Sequence, residues 1–212
     1  MEWSEIASFA LVASLLVISP GPNGVLVART VPTSGRSAGF ANVAGFVTGF
    51  YLHGAFSIFG ISVILLQSAT AFAIVKLLGA AYLCWIGIKA LYAAFRGESE
   101  VRDITPAKRP RTLVKAYFEG LLTNALNPKV SMFYLAAFPQ FISIEEASLT
   151  SSFLLVSVHS LINAVWFGAM VLLLNRLTSA AQSGAFQRWL KGVTGVVFIG
   201  FGVKLASYRL ET

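Results

Sequence analysis

The chain has 212 residues, of which 56% are apolar and only 12% charged. A soluble domain carries about 25% charge; half of that cannot solvate a globular surface, and a mean hydropathy of +0.74 assigns much of this one to lipid. The net charge of +7 would suggest nucleic acid in a soluble protein, but the basic residues gather in particular loops of an apolar chain, so no nucleic-acid partner is expected.

Long apolar runs separated by short polar loops indicate helices. A spanning helix needs about 20 residues, a barrel strand about 10 alternating ones, and only these two architectures satisfy their backbone in hydrocarbon. The start, Met1-Glu2-Trp3-Ser4-Glu5, is acidic and lacks the positive region of a secretory signal, so the first apolar segment is expected to remain as a span. Six segments follow in chain order, at about 6–31, 39–66, 70–95, 113–141, 147–174 and 189–207. The expected fold is an all-α membrane protein with six transmembrane helices in a single domain. The one cysteine, Cys84, lies in an apolar run and excludes a disulfide framework or a two-thiol relay.

The loops orient these spans. Arg29 and Arg36 fall in loop 1–2, and Arg96, Arg102, Lys108, Arg109 and Arg111 in loop 3–4, with Lys115 just beyond. Loop 5–6 carries Arg176 and Arg188, with Lys191 at its edge. The opposite side has Glu145 and Glu146 in loop 4–5, and Arg209 in the C-terminal tail. The positive-inside rule puts both termini outside, in the periplasm if the membrane is a bacterial inner membrane. The stretch 96–112 is the longest polar loop; it reads as a topology determinant first and a binder of anionic lipid second.

Three spans per half would place two homologous halves upside down relative to each other, as repeat 1 (about 1–95) and repeat 2 (about 113–212). Span 1 contains Ser19-Pro20-Gly21-Pro22-Asn23 and span 4 contains Asn127-Pro128-Lys129, 108 residues apart. Gly79 with Ile86-Gly87 matches Gly192 with Ile199-Gly200 at an offset of 113, and His53 matches His159 at 106.

Proline gives these breaks their meaning. Pro20 and Pro22 have no N–H, so the carbonyls of Leu16 and Ile18 lose their helical donors, and Pro128 does the same to Asn124. Such groups cannot face lipid; neighbours or water must satisfy them, or they line a polar cavity. A broken helix also exposes a positive N-terminus suited to a carboxylate and a negative C-terminus suited to an ammonium. A zwitterionic amino acid carries that pair of charges. A structural proline kink is the plain alternative for either break alone; two breaks at matching places favour a site.

SPGPN (Ser19–Asn23), GLLTNALNPK (Gly120–Lys129), FYLAAFPQF (Phe133–Phe141) and GAAYLCWIGIKAL (Gly79–Leu91) together form a recognisable pattern. With these motifs, its length and its span count, the chain resembles the LysE/RhtB type of amino-acid efflux protein, of the lysine exporter superfamily. The resemblance implies export of amino acids or related metabolites, driven by the proton gradient. It implies substrate-binding positions at Pro20, Gly21, Pro22, Asn23, Asn127, Pro128 and Lys129, to which Asn124 is added for its orphaned carbonyl.

Among ionisable residues inside the spans, Lys129 would meet a substrate carboxylate or the polar groups of the opposite break, or else cap the end of a half-helix. Glu119 is the one acid within a span: a proton carrier, or the partner of Lys115 one turn away. His53 continues the small-residue stripe Ala41-Gly45-Gly49, and His159 precedes Asn163 by one turn. Each histidine reads as a buried hydrogen-bonded residue or as a proton relay. The stripe before His53 would serve packing within the chain or a homodimer equally well. Lys76, Lys89 and Lys204 lie near span ends, where they snorkel, and Trp3, Trp85 and Trp189 lie near interfaces.

Competing functions fit less well. Ser157 and His159 diverge by about 200° around a helix, and no catalytic motif accompanies them, so an enzyme is not expected. A metal exporter would want clustered Cys, His or Asp, and 96–112 has no Cys or His. A purely structural protein would not need two polar breaks. No cofactor and no bound metal are expected. A cationic substrate would want a buried acid, and only Glu119 offers one. The sequence therefore leans to a neutral amino acid such as threonine, homoserine or leucine, with protons as the coupling ion and lipid as the surrounding partner.

Overall fold

A computed structural model describes residues 2–67, 69–97, 109–141, 149–174 and 184–207. Arg102, Lys108, Glu145, Glu146, Arg176 and Arg209 lie outside the described residues, and so does most of the 96–112 loop. Among the described residues all regular structure is helical. Three stretches are each long and apolar enough to cross a membrane: Pro22–Gly60, Leu77–Arg96 and Leu149–Leu172.

Helix α1 (Trp3–Ile18) opens on a capping box, with the Glu2 side chain accepting from the Glu5 backbone and the Glu2 N–H donating to Glu5 Oε2 at 2.8 Å. It stops at Ser19, because Pro20 cannot continue the ladder. Helix α2 (Pro22–Gln67) restarts at once, with Pro22 in the first-turn position where a missing N–H costs nothing.

The sequence places a loop between spans 1 and 2. The structure replaces it with a bend at one residue: Gly35 adopts φ 79°, and helix continues on both sides. The bend is sharp. A Cβ on Gly39 would lie 2.6 Å from the Val31 side chain, whereas eight residues of straight helix would separate them by about 12 Å.

Helix α3 (Ala69–Arg96) and the last helix, α7 (Gly184–Ser207), form one closely packed pair. Helix α4 (Leu113–Ala125) is capped by the Thr112 side chain, which accepts from Lys115 N. After a break at Leu126–Asn127 comes α5 (Pro128–Met132), which runs on as a π-helical turn, Phe133–Ala137, and a 3-10 turn, Phe138–Phe141. Pro139 sits at this change of winding, where it removes the donor that Leu135 would have used. Helix α6 (Leu149–Leu172) packs against α1 and α2.

Glycines set how closely the helices approach. A Cβ on Gly45 would meet Tyr117 O at 2.2 Å, and one on Gly120 would meet Asn42 O at 2.2 Å, so α2 and α4 touch backbone to backbone. Asn42 Nδ2 donates to Ala116 O across this contact at 2.7 Å, and Tyr117 Oη donates to Thr48 Oγ1 at 2.9 Å. The stripe of span 2 is thus covered by α4 of the same chain and is not free for a second copy. In the α3–α7 pair the glycine facing Gly87 is Gly195, while Gly192 and Gly200 have open space beside them.

The core is aromatic, built on Phe9, Phe46, Phe50, Phe133, Tyr134 and Phe138. The outside is also apolar: Leu78, Leu161, Val165 and Val196 are each more than 60% exposed, a lipid-facing surface rather than a solvated one. Trp3, Trp85 and Trp189 are exposed as expected, and Lys89 Nζ lies 4.9 Å above the Trp85 ring. Lys191, read from sequence as a loop-edge residue, is buried within α7.

Candidate functional site

The two breaks come together. Lys129 Nζ donates to Ser19 O at 2.8 Å, across 110 residues of sequence. Ser19 ends α1, and the negative end of that helix dipole attracts a cation. The side chain runs past Gly21, whose missing Cβ would lie 3.7 Å from Nζ. The one contact both caps a half-helix and reaches the opposite break, two of the three roles that the sequence leaves open to Lys129.

The second break is closed from several sides. Asn127 caps α5, its Oδ1 accepting from Lys129 N at 3.1 Å, and Pro128 takes the first helical position. The Asn124 carbonyl, orphaned by Pro128, accepts from Asn127 N at 3.0 Å and lies 3.1 Å from His53 Nε2. A carbonyl can only accept, so Nε2 carries the proton there. His53 thus holds the end of one half-helix as Lys129 holds the end of the other.

At the breaks and on α6 lie polar atoms that are buried without partners among the described residues. They are Asn23 Oδ1, both side-chain atoms of Asn124, both ring nitrogens of His159, Ser160 Oγ, Asn163 Oδ1 and Tyr134 Oη. The Asn124 side chain is wedged against Gly49, where a Cβ would come within 2.7 Å of Oδ1. Unmet buried polar groups are costly in any protein interior, and a cluster of them calls for an explanation.

The matched histidines converge on one ring, Tyr134. The His53 ring lies 16° from parallel to it at 5.7 Å, and the His159 ring 8° from parallel at 5.6 Å. His159 is fully buried among Phe9, Phe50 and Phe133. Ser57 Oγ donates to Tyr134 O at 2.6 Å, using a carbonyl in the π-helical turn. Neither Tyr134 nor Ser57 stands out along the chain as a site residue. The one available signal was a hydroxyl-bearing aromatic in the apolar run after Pro128.

Glu119 belongs elsewhere. Its carboxylate pairs with the Arg111 guanidinium rather than with Lys115. Arg111 N in turn donates to Ser34 Oγ at 2.9 Å, beside the Gly35 bend. Arg36 Nη2 reaches Leu172 O at 3.3 Å, and Arg188 Nε reaches Ala94 O at 3.1 Å. Among the described residues no three His, Cys, Asp or Glu side chains gather to hold a metal ion.

Residues 14–209 match the LysE type translocator family. The chain belongs to that family. It is 30% identical over 206 residues to the uncharacterized membrane protein YrhP of Bacillus subtilis (94% of this chain, 97% of the relative). It is 26% identical over 202 residues to the threonine efflux protein of Escherichia coli K12, covering 94% and 96% of the two chains. It is 28% identical over 202 residues to the homoserine/homoserine lactone efflux protein of Salmonella typhimurium, covering 95% and 96%. No solved structure matches. As a member of this family the chain is a membrane protein whose two helix breaks meet inside the translocator.

Proposed function

We propose that this translocator exports a neutral amino acid, such as threonine, homoserine or leucine, across the bacterial inner membrane by proton antiport, and that it is not an enzyme. The contact between Lys129 and Ser19 O carries the reading, because it brings a cation and a helix end from separate breaks to one point. A zwitterion needs that pair: a partner for its carboxylate and a negative helix end for its ammonium. Pro20, Gly21, Pro22, Asn23, Asn124, Asn127, Pro128 and Lys129 would form the site. The threonine and homoserine efflux relatives support amino acids as the substrate class.

The same reading has six spans in two inverted repeats. Its support is an offset: Pro20 and Pro128 are 108 residues apart, and so are Gly87 and Gly195, which meet between α3 and α7. Equivalent residues meeting each other is what a two-fold axis between repeats requires. Arg36 and Arg111 tie the bend of α2 to the end of α6 and the start of α4, and Arg188 ties the start of α7 to the end of α3, basic contacts suited to a cytoplasmic face. Both termini would then be periplasmic. His53 and His159, bridged by Tyr134, are the candidates for carrying the proton.

Release of labelled threonine, homoserine and leucine from dipeptide-fed cells tests this. Expression should speed release of at least one of them, and Lys129→Met should abolish that gain while the protein still inserts. Unchanged release of all three on expression refutes the neutral amino-acid reading. Undiminished export after collapse of the proton gradient refutes antiport.

A further inference from the structure

We infer that Lys129 is a tethered stand-in for the substrate's ammonium group, and that it makes the site reject amines that lack a carboxylate. The inference deepens the export reading and rests on it for the identity of the substrate. Lys129 is the second residue of α5, at the positive end of its own helix, where a cation is unfavourable. Its charge is instead used 110 residues away, on the carbonyl that ends α1. That carbonyl is the acceptor a substrate ammonium would seek, and Nζ is the same chemical group on a four-carbon stem. Lys129 is only partly buried, so the contact is within reach of an incoming molecule.

Substrate entry then becomes an exchange. The α-ammonium takes the Ser19 carbonyl, and the displaced Nζ is left beside the substrate, where it meets the carboxylate. Charge stays balanced, because a zwitterion adds none. An amine without a carboxylate leaves two cations side by side in a low-dielectric site, which is strongly unfavourable. Selection for amino acids over simple amines follows from one side chain that must be both displaced and neutralised. Before entry, the same side chain keeps the helix end satisfied.

The probe is n-propylammonium, with propionate as the control, read by thermal unfolding of the purified full-length protein. In Lys129→Ala the Ser19 carbonyl has lost its tethered cation. The amine should stabilise this variant with a midpoint at least about tenfold below that of wild type, since a tethered group competes at a high effective concentration. Lys129→Gln keeps a neutral donor, so it should fall between the two; should the alanine variant fail to fold, the glutamine variant decides against wild type. Propionate should stabilise neither variant. Equal amine midpoints in all three proteins, or no stabilisation in any, overturn the inference even if wild type exports threonine. A lowered midpoint in a protein whose wild type releases no amino acid supports the ammonium seat while the export reading falls.

Discussion

Gly45→Ala tests whether the site depends on the approach of α2 to α4. The added Cβ would lie 2.2 Å from Tyr117 O, 2.5 Å from Leu121 N and 3.0 Å from Gly120 C. All three atoms are backbone, so none can swing aside as a side-chain tip would. Restoring ordinary contact requires the helices to part by about 1 Å. That displacement stretches the 2.7 Å bond from Asn42 to Ala116 O and the 3.1 Å bond from His53 to Asn124 O. Overpacking of this kind costs about 1–3 kcal/mol, and each weakened bond up to about 1 more. Alanine returns about 1 kcal/mol through its better helix propensity. The net expectation is a loss of about 2 kcal/mol, read by denaturant unfolding in detergent micelles, with threonine release falling further because the second break moves. Gly200→Ala is the control: it has open space beside it, so only the propensity gain remains. Equal unfolding midpoints and equal release for the two variants would refute the backbone-contact reasoning.

Tyr134→Phe keeps the ring that both imidazoles flank and removes only a hydroxyl with no partner among the described residues. Stability should stay within about 1 kcal/mol of wild type, while release should lose its dependence on the proton gradient; gradient-dependent release at the wild-type rate would take Tyr134 out of the relay. Glu119→Gln breaks the pair with Arg111, whose side chains are 18% and 27% exposed on the arginine and glutamate sides. A pair so near the surface contributes up to about 1 kcal/mol, and gradient-driven release should be normal. A stable Glu119→Gln protein that no longer responds to the gradient would make Glu119 the proton carrier instead of the histidines.

Much of the helical frame was legible along the chain because its causes are local. Pro20 and Pro128 lack an N–H wherever they stand, so the breaks fell where the sequence put them, and the orphaned Asn124 carbonyl was foreseeable too. The partner of that carbonyl was not: His53 arrives from another helix. The turn at Gly35 reads as a loop in the sequence, because one glycine at positive φ leaves no compositional trace beyond itself. Helical spacing offers Lys115 as one partner for Glu119, whereas Arg111 reaches it from just ahead of α4.

The sequence by itself determined a lipid-facing helical chain interrupted at two places by proline, because hydropathy and a missing N–H act residue by residue. Only the tertiary structure decided that Lys129 of one break closes Ser19 of the other, that two histidines share Tyr134, and that Gly195 rather than Gly200 meets Gly87. Those contacts join residues between 25 and 110 positions apart. Their distances depend on how closely the helices pack, and glycine backbones set that approach; the four-residue stripe marks such a face but does not name the helix it meets.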